Sequence, residues 1–137
     1  MNNMFENARA FNQRLEDWDT KNVKSMAFMF IGAVAFNQRL NDWDTGQVVA
    51  MSAMFNGAVA FNQRLKDWDV QNVQEMGGMF FNAVKFDKGI LGWYTLANVF
   101  AAQMFGNDTS TSAWQDKYKR LDNSTSTAGP PDKWVRK

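Results

Sequence analysis

Residues 35–45, AFNQRLNDWDT, stand almost unchanged 25 positions earlier and again 25 positions later. Self-similarity at a short fixed period constrains a chain more than any local propensity, because each repeat buries its apolar face only against its neighbours. The Met-Phe pair sets the register, falling at Met4-Phe5, Met29-Phe30, Met54-Phe55, Met79-Phe80 and Met104-Phe105. Further apolar columns align with it: Ala8, Ala33, Ala58 and Ala83; Phe11, Phe36, Phe61 and Phe86; Leu15, Leu40, Leu65 and Ile90; Trp18, Trp43, Trp68 and Trp93. Most of the six Trp, twelve Phe and nine Met obey this register, which makes them core residues by position.

A second set of columns lies between each tryptophan and the next Met-Phe pair: Val23, Val48 and Val73, then Met26, Met51 and Met76. Met26, Met29, Phe30 and Ala33 follow i, i+3, i+4, i+7 spacing, which predicts a short helix over residues 26–34 and its copies. Gly32, Gly57 and the Gly77-Gly78 pair weaken that helix, so packing must hold it. The half of the repeat from Leu40 through Trp43 to Thr45 is short, ends in turn residues and predicts a strand. The expected fold class is an α/β repeat solenoid, leucine-rich-repeat-like, with one short parallel strand and one short helix per 25-residue turn. About four turns, residues 4–28, 29–53, 54–78 and 79–103, would make a solenoid over residues 1–105, in a stack ~20 Å tall.

Repeat four departs from the pattern. Phe86-Asp87-Lys88-Gly89-Ile90 replaces FNQRL, Tyr94 replaces the aspartate after tryptophan, and Asn98-Val99 slips by one residue. Residues 106–121 are expected to close the stack as a C-terminal cap with an amphipathic helix from Trp114 to Leu121, and residues 122–137 to form a flexible tail. At the other end, the outer edge near residues 14–19 lacks a cap, an association hazard unless a partner or another part of a longer array covers it.

Composition narrows the function. Lysine and arginine number 15 against 14 acids, so a net charge of +1 gives no general attraction to nucleic acid or anionic membrane. With no cysteine and no histidine, the chain lacks thiolate chemistry, the commonest general base and the commonest transition-metal ligand. Neither a signal-peptide pattern at the start nor an apolar run of membrane-span length occurs. A non-catalytic protein is the expectation, with no cofactor.

The pattern FNQRLxDWDxxxVxxMxxMFxxA, complete over residues 11–33, 36–58 and 61–83, resembles the short-repeat class of the BspA-like leucine-rich-repeat surface proteins. The match is tight over residues 4–78 and loose over 79–105. The resemblance implies a right-handed leucine-rich-repeat-like solenoid used for adhesion or recognition at a cell or virion surface, and it brings no catalytic residue with it.

Polar columns are the candidates for function. Asp19, Asp44 and Asp69 are expected to accept backbone N–H groups in the turns that follow them. Asp17, Asp42 and Asp67 are expected to meet Arg14, Arg39 and Arg64 as exposed ion pairs. Both aspartate columns together form a weak alternative calcium site, since hard cations take several carboxylate oxygens. Asn12-Gln13 and its copies, Asn37-Gln38 and Asn62-Gln63, are expected to form amide ladders or caps, with a polar recognition stripe as the alternative. The tryptophans are expected in the core rather than as a carbohydrate platform. Candidate partner-binding residues are Arg14, Arg39, Arg64, Asp17, Asp42, Asp67 and, as an aromatic anchor in the tail, Trp134. Two functions compete: an interaction or adhesion module, and a structural or cementing subunit of a larger assembly stacked through its first repeat. A calcium-binding scaffold is a third.

Overall fold

The computed structural model describes residues 1–88, 90, 93 and 100–106, and the backbone of 118–120 and 134–136. The chain winds as a stack of 25-residue coils, and the Met-Phe segments lie one above another. The predicted helix is not there: among the described residues no helix forms, and the segments around residues 26–34, 51–58 and 76–83 are successions of turns. The predicted strand at residues 40–45 is also absent. Trp43 N–H closes a turn onto the Leu40 carbonyl at 3.1 Å, and Trp68 and Trp93 repeat this on Leu65 and Ile90. An α/β solenoid of leucine-rich-repeat type, with a strand and a helix per turn, is therefore not the architecture of this chain.

The destination of the backbone N–H groups explains the difference. In a helix every N–H would return to the carbonyl four residues back. Here alternate residues send theirs to the next coil: Met26, Phe28, Phe30 and Gly32 donate to Ala50, Ser52, Met54 and Asn56 at 2.7–2.9 Å. The residues between them close three-residue turns within the coil, as Met29 does on Met26 and Ala33 on Phe30. Asn3, Phe5 and Asn7 donate in the same way to coil 2, and Met76, Gly78 and Phe80 to coil 5.

That alternation requires left-handed backbone at two places in each coil. One column is Asn3, Phe28, Ala53, Gly78 and Gln103, with φ between 51° and 61°. The other is Asn7, Gly32, Gly57 and Asn82, with φ between 55° and 69°. Asparagine and glycine tolerate this region, and they fill the second column completely. Each column returns every 25 residues, so the distortion belongs to the repeat.

Among the described residues true parallel pairing is confined to single bridges, Ser25 to Ala50, Ala50 to Glu75 and Glu75 to Phe100. Two short strands occur near the C-terminus: β1, Tyr118–Arg120, and β2, Trp134–Arg136, paired antiparallel with Tyr118 opposite Arg136. Residues 118–120 are thus extended where a helix from Trp114 to Leu121 is predicted, and part of the predicted tail is paired. The register slip at Tyr94 and Asn98-Val99, the run 107–112 and the rest of the C-terminal cap lie outside the described residues.

From coil 2 onward the expected core columns are buried as predicted even though the backbone differs, whereas in coil 1 Met4 and Trp18, expected in the core, are exposed because no coil covers them among the described residues. Met29, Phe30, Ala33, Phe36, Leu40, Met51, Met54, Phe55, Phe61, Leu65, Met76 and Met79 are wholly enclosed. Three aromatic columns run through the stack. Phe5, Phe30, Phe55, Phe80 and Phe105 stack at centroid spacings of 5.4–5.9 Å, and Phe11, Phe36, Phe61 and Phe86 at 5.8–6.0 Å. Trp18, Trp43, Trp68 and Trp93 stack at 6.2–6.5 Å. Within each coil the two phenylalanines also lie face to face at 4.0–4.1 Å. Burying each ring contributes about 1.5–3 kcal/mol, with ~0.5–1.5 kcal/mol more per stacked pair.

Candidate functional site

The polar face begins where each coil leaves its second phenylalanine. Asn12 Oδ1 accepts the Asn37 N–H at 2.9 Å and the Gln38 Nε2–H at 3.0 Å, and Gln38 Nε2 also reaches the Asn12 carbonyl at 3.0 Å. Asn37 receives Asn62 N–H and Gln63 in the same way, and Asn62 receives the Asp87 N–H at 3.1 Å. The Asn-Gln columns are therefore amide ladders that tie one coil to the next.

Behind them sit two features that sequence reasoning missed. Three of the column tryptophans donate their indole N–H to the preceding coil: Trp43 Nε1–H to the Leu15 carbonyl, Trp68 to Leu40 and Trp93 to Leu65, at 2.8–2.9 Å. Buried Thr20 and Thr45 donate their hydroxyls to the Asp44 and Asp69 carbonyls at 2.9 Å. The signal for both was the coincidence of a polar atom with an apolar column at the same register, since a buried indole or hydroxyl needs an acceptor.

The aspartates divide as follows. Asp19, Asp44 and Asp69 accept the N–H of Lys21, Gly46 and Gln71 at 3.0–3.2 Å, closing turns onto the backbone two residues on. Hydrogen bonding from the Lys21 ammonium and backbone holds the Asp19 carboxyl below its ordinary range. In the other column only Arg39 and Asp42 pair as expected, at 2.9 Å. Arg14 is hydrogen-bonded to Glu16 rather than Asp17, which lowers the Glu16 carboxyl and raises the Arg14 guanidinium. Asp67 accepts the Asn41 amide, which lowers it, and lies 3.4 Å from Lys66. Among the described residues no three acidic side chains converge so as to hold a metal ion, so the geometry lends the calcium reading no support.

The structure therefore brings Arg39, Arg64 and Asp67 to a shallow groove of about 470 Å³, lined also by Asn41, Asn62, Gln63, Lys66 and Lys88. Arg14 and Asp17 lie outside that lining, exposed on coil 1. Trp134 is placed by its backbone in β2. Among the described residues no helix is long and apolar enough to cross a membrane.

Stacked coils joined by side-chain and backbone ladders, with a polar face, define a repeat protein of 25-residue coils. The family described as "Mycoplasma protein of unknown function, DUF285" matches residues 1–118, and the chain belongs to it. Neither the curated proteins nor the solved structures contain a match.

Proposed function

We propose that the protein is a non-catalytic recognition module whose polar face meets a macromolecular partner. One observation supports this reading above the others: exposed Arg39, Arg64, Lys66 and Lys88 stand around a single groove on coils whose backbones are locked together by the amide ladders. Side chains on such a base recognise a partner with little loss of backbone freedom on binding. The resemblance of the repeat motif to BspA-like surface proteins adds a location, the surface of a cell or virion.

Peptide display on the intact chain tests the reading. Ligands are selected on the wild type and counter-selected on a double variant, Arg39→Ala with Arg64→Ala. Ligands that bind the wild type and lose the variant, at an unchanged melting temperature, are the expected result. Selection that yields no ligand dependent on the arginines overturns it.

A second reading, docking into a larger assembly through coil 1, has its own observation. Among the described residues nothing donates to the carbonyls of Asn2, Met4 and Glu6, whereas their equivalents in coil 2, Ala27, Met29 and Ile31, each accept one hydrogen bond. Met4 is 49% exposed and Trp18 37%, against 0% for Met29 and 3% for Trp43. Sedimentation that shows only a monomer at micromolar concentration, unchanged by Met4→Asp, sinks this reading.

A further inference from the structure

The polar face changes charge along the stack while its backbone stays the same. At the four outward positions that follow the Asn column, coil 1 carries one cation and two acids, Arg14 with Glu16 and Asp17. Coil 2 carries one of each, Arg39 and Asp42; coil 3 carries Arg64 and Lys66 with Asp67; coil 4 carries Lys88 alone. Where Glu16 stands in coil 1, Asn41 and then Lys66 stand in coils 2 and 3. The groove opens over the basic end of this gradient.

Neutralisation within the face is uneven. Arg14 is satisfied by Glu16 and Arg39 by Asp42. Lys66 and Lys88 have more distant carboxylates, at 3.4 and 4.0 Å. Arg64 is exposed and has no acidic partner among the described residues, because Asp67 has turned to the Asn41 amide. An unpaired guanidinium flanked by two lysines is a fork for a carboxylate, which it takes with two parallel N–H bonds.

We propose that the groove from Arg39 to Lys88 binds an acidic peptide segment in extended form, with a carboxylate on Arg64 and others beside Lys66 and Lys88. This rests on the reading of the chain as a recognition module and names the partner's chemistry. The line of cations supports a peptide. Successive coils are joined directly by backbone hydrogen bonds, so Arg39, Arg64 and Lys88 follow one another along the stack, with Asn41, Gln63 and Asp67 between them. An extended chain whose carboxylates are separated by neutral residues can set its charges on the cations and its neutral residues against Asp67. A dense polyanion fits less well, since Asp42, Asp67 and Asp87 share the face and would repel its unbroken charge.

Fluorescence anisotropy with the full chain decides the matter. The probe is a fluorescein-labelled peptide alternating glutamate and serine, with its glutamine counterpart and heparin oligosaccharide as comparisons. Arg64→Gln weakens the glutamate peptide about threefold to fivefold, and Arg64→Gln with Lys66→Gln about tenfold, the scale set by exposed ion pairs. Arg14→Gln, at the neutralised end, leaves binding unchanged, and melting curves verify that each variant is folded. The glutamine peptide binding equally well overturns the proposal, as does indifference to Arg64 or tighter binding of heparin at the same residues. Arginine-dependent peptides that lack acids, obtained by display, overturn the acidic partner alone and leave the recognition module standing.

Discussion

Replacing Gly57 by alanine separates the two backbones this sequence could adopt, because they predict opposite signs. In a helix over residues 51–58, alanine for glycine would stabilise by about 0.5–1 kcal/mol. In the observed coil Gly57 has φ +69°, where an L side chain costs about 1–2 kcal/mol. An added Cβ would lie 3.6 Å from Gly32 Cα and N, ordinary contact distance, so sterics add nothing and the conformational cost stands alone. A stiffer unfolded chain returns about 0.4–1 kcal/mol, leaving a net loss near 1 kcal/mol. Urea unfolding followed by tryptophan fluorescence measures this as a lower midpoint at constant slope, and as a fall of about 3–5 °C in melting temperature. Gly57→Asn loses less, since Asn7 and Asn82 occupy the same column at φ 55° and 56°. A Gly57→Ala variant as stable as the wild type, or more so, refutes the left-handed column as a structural requirement.

Three further outcomes are expected. Trp68→Phe removes one of the two donors to the Leu40 carbonyl, which keeps the Trp43 N–H, and lowers stability by about 0.5–1.5 kcal/mol for the lost bond, while Trp18→Phe, on the 37% exposed ring, costs less than ~0.5 kcal/mol; equal losses in urea would contradict the indole bond. Asn37→Ala removes the acceptor for both Asn62 N–H and Gln63 Nε2, worth ~1–2 kcal/mol in total, whereas Asn62→Ala removes only the acceptor of Asp87 N–H and costs about half; the reverse order would break the ladder account. Glu16, Asp19 and Asp67 are held below their ordinary range by hydrogen bonds from Arg14, Lys21 and Asn41, so the folded chain binds their protons less readily than the unfolded one. Their stabilisation is present above the usual carboxylate range near ~4 and is lost as pH falls through the lowered values, so melting temperature falls on acidification and Asp19→Asn flattens the decline; stability that rises on acidification refutes the assignment.

Burial was legible in the sequence, and backbone was not. Met26, Met29, Phe30 and Ala33 satisfy helical spacing, and all four are buried, but an apolar pattern only records which side chains face inward. A succession of turns with left-handed backbone at two positions four residues apart in each coil also brings those four to one side. The discriminating signals were Gly32, Gly57, Gly78 and Asn82, turn-forming residues at fixed places in the repeat, and they outweigh the spacing once read as requirements for positive φ. The Asn-Gln ladder and the aspartate turns were legible because amide and carboxylate chemistry is local. Arg14 was matched to Asp17 rather than to Glu16 because side-chain direction decides between neighbours, and alternation along an assumed strand gave the wrong direction.

Comparison of the coils with one another changes where recognition is sought. The columns that repeat without change through coils 1 to 3, Asn12-Gln13, Leu15 and Trp18 with their copies, are those joined coil to coil by hydrogen bonds and ring stacking, and a ladder demands the same residue at every rung. A column without a repeated ladder is released from that demand. Glu16, Asn41 and Lys66 form such a column: Asn41 bonds to Asp67 of the next coil, a bond that glutamate and lysine at the equivalent positions do not repeat, and the residues change sign across three coils while the backbone beneath them stays in register. Regularity in this chain therefore marks structure, and variation marks the positions free to choose a partner. On that ground Lys66 outranks Arg14 and Asp17, and Arg64, although it shares the regular column of Arg14, joins Lys66 because its guanidinium has no acidic partner among the described residues. Specificity is then adjusted by substituting at positions 16 and 66, where a change of charge alters what the face attracts and leaves the Asn41–Asp67 bond and the amide ladders intact.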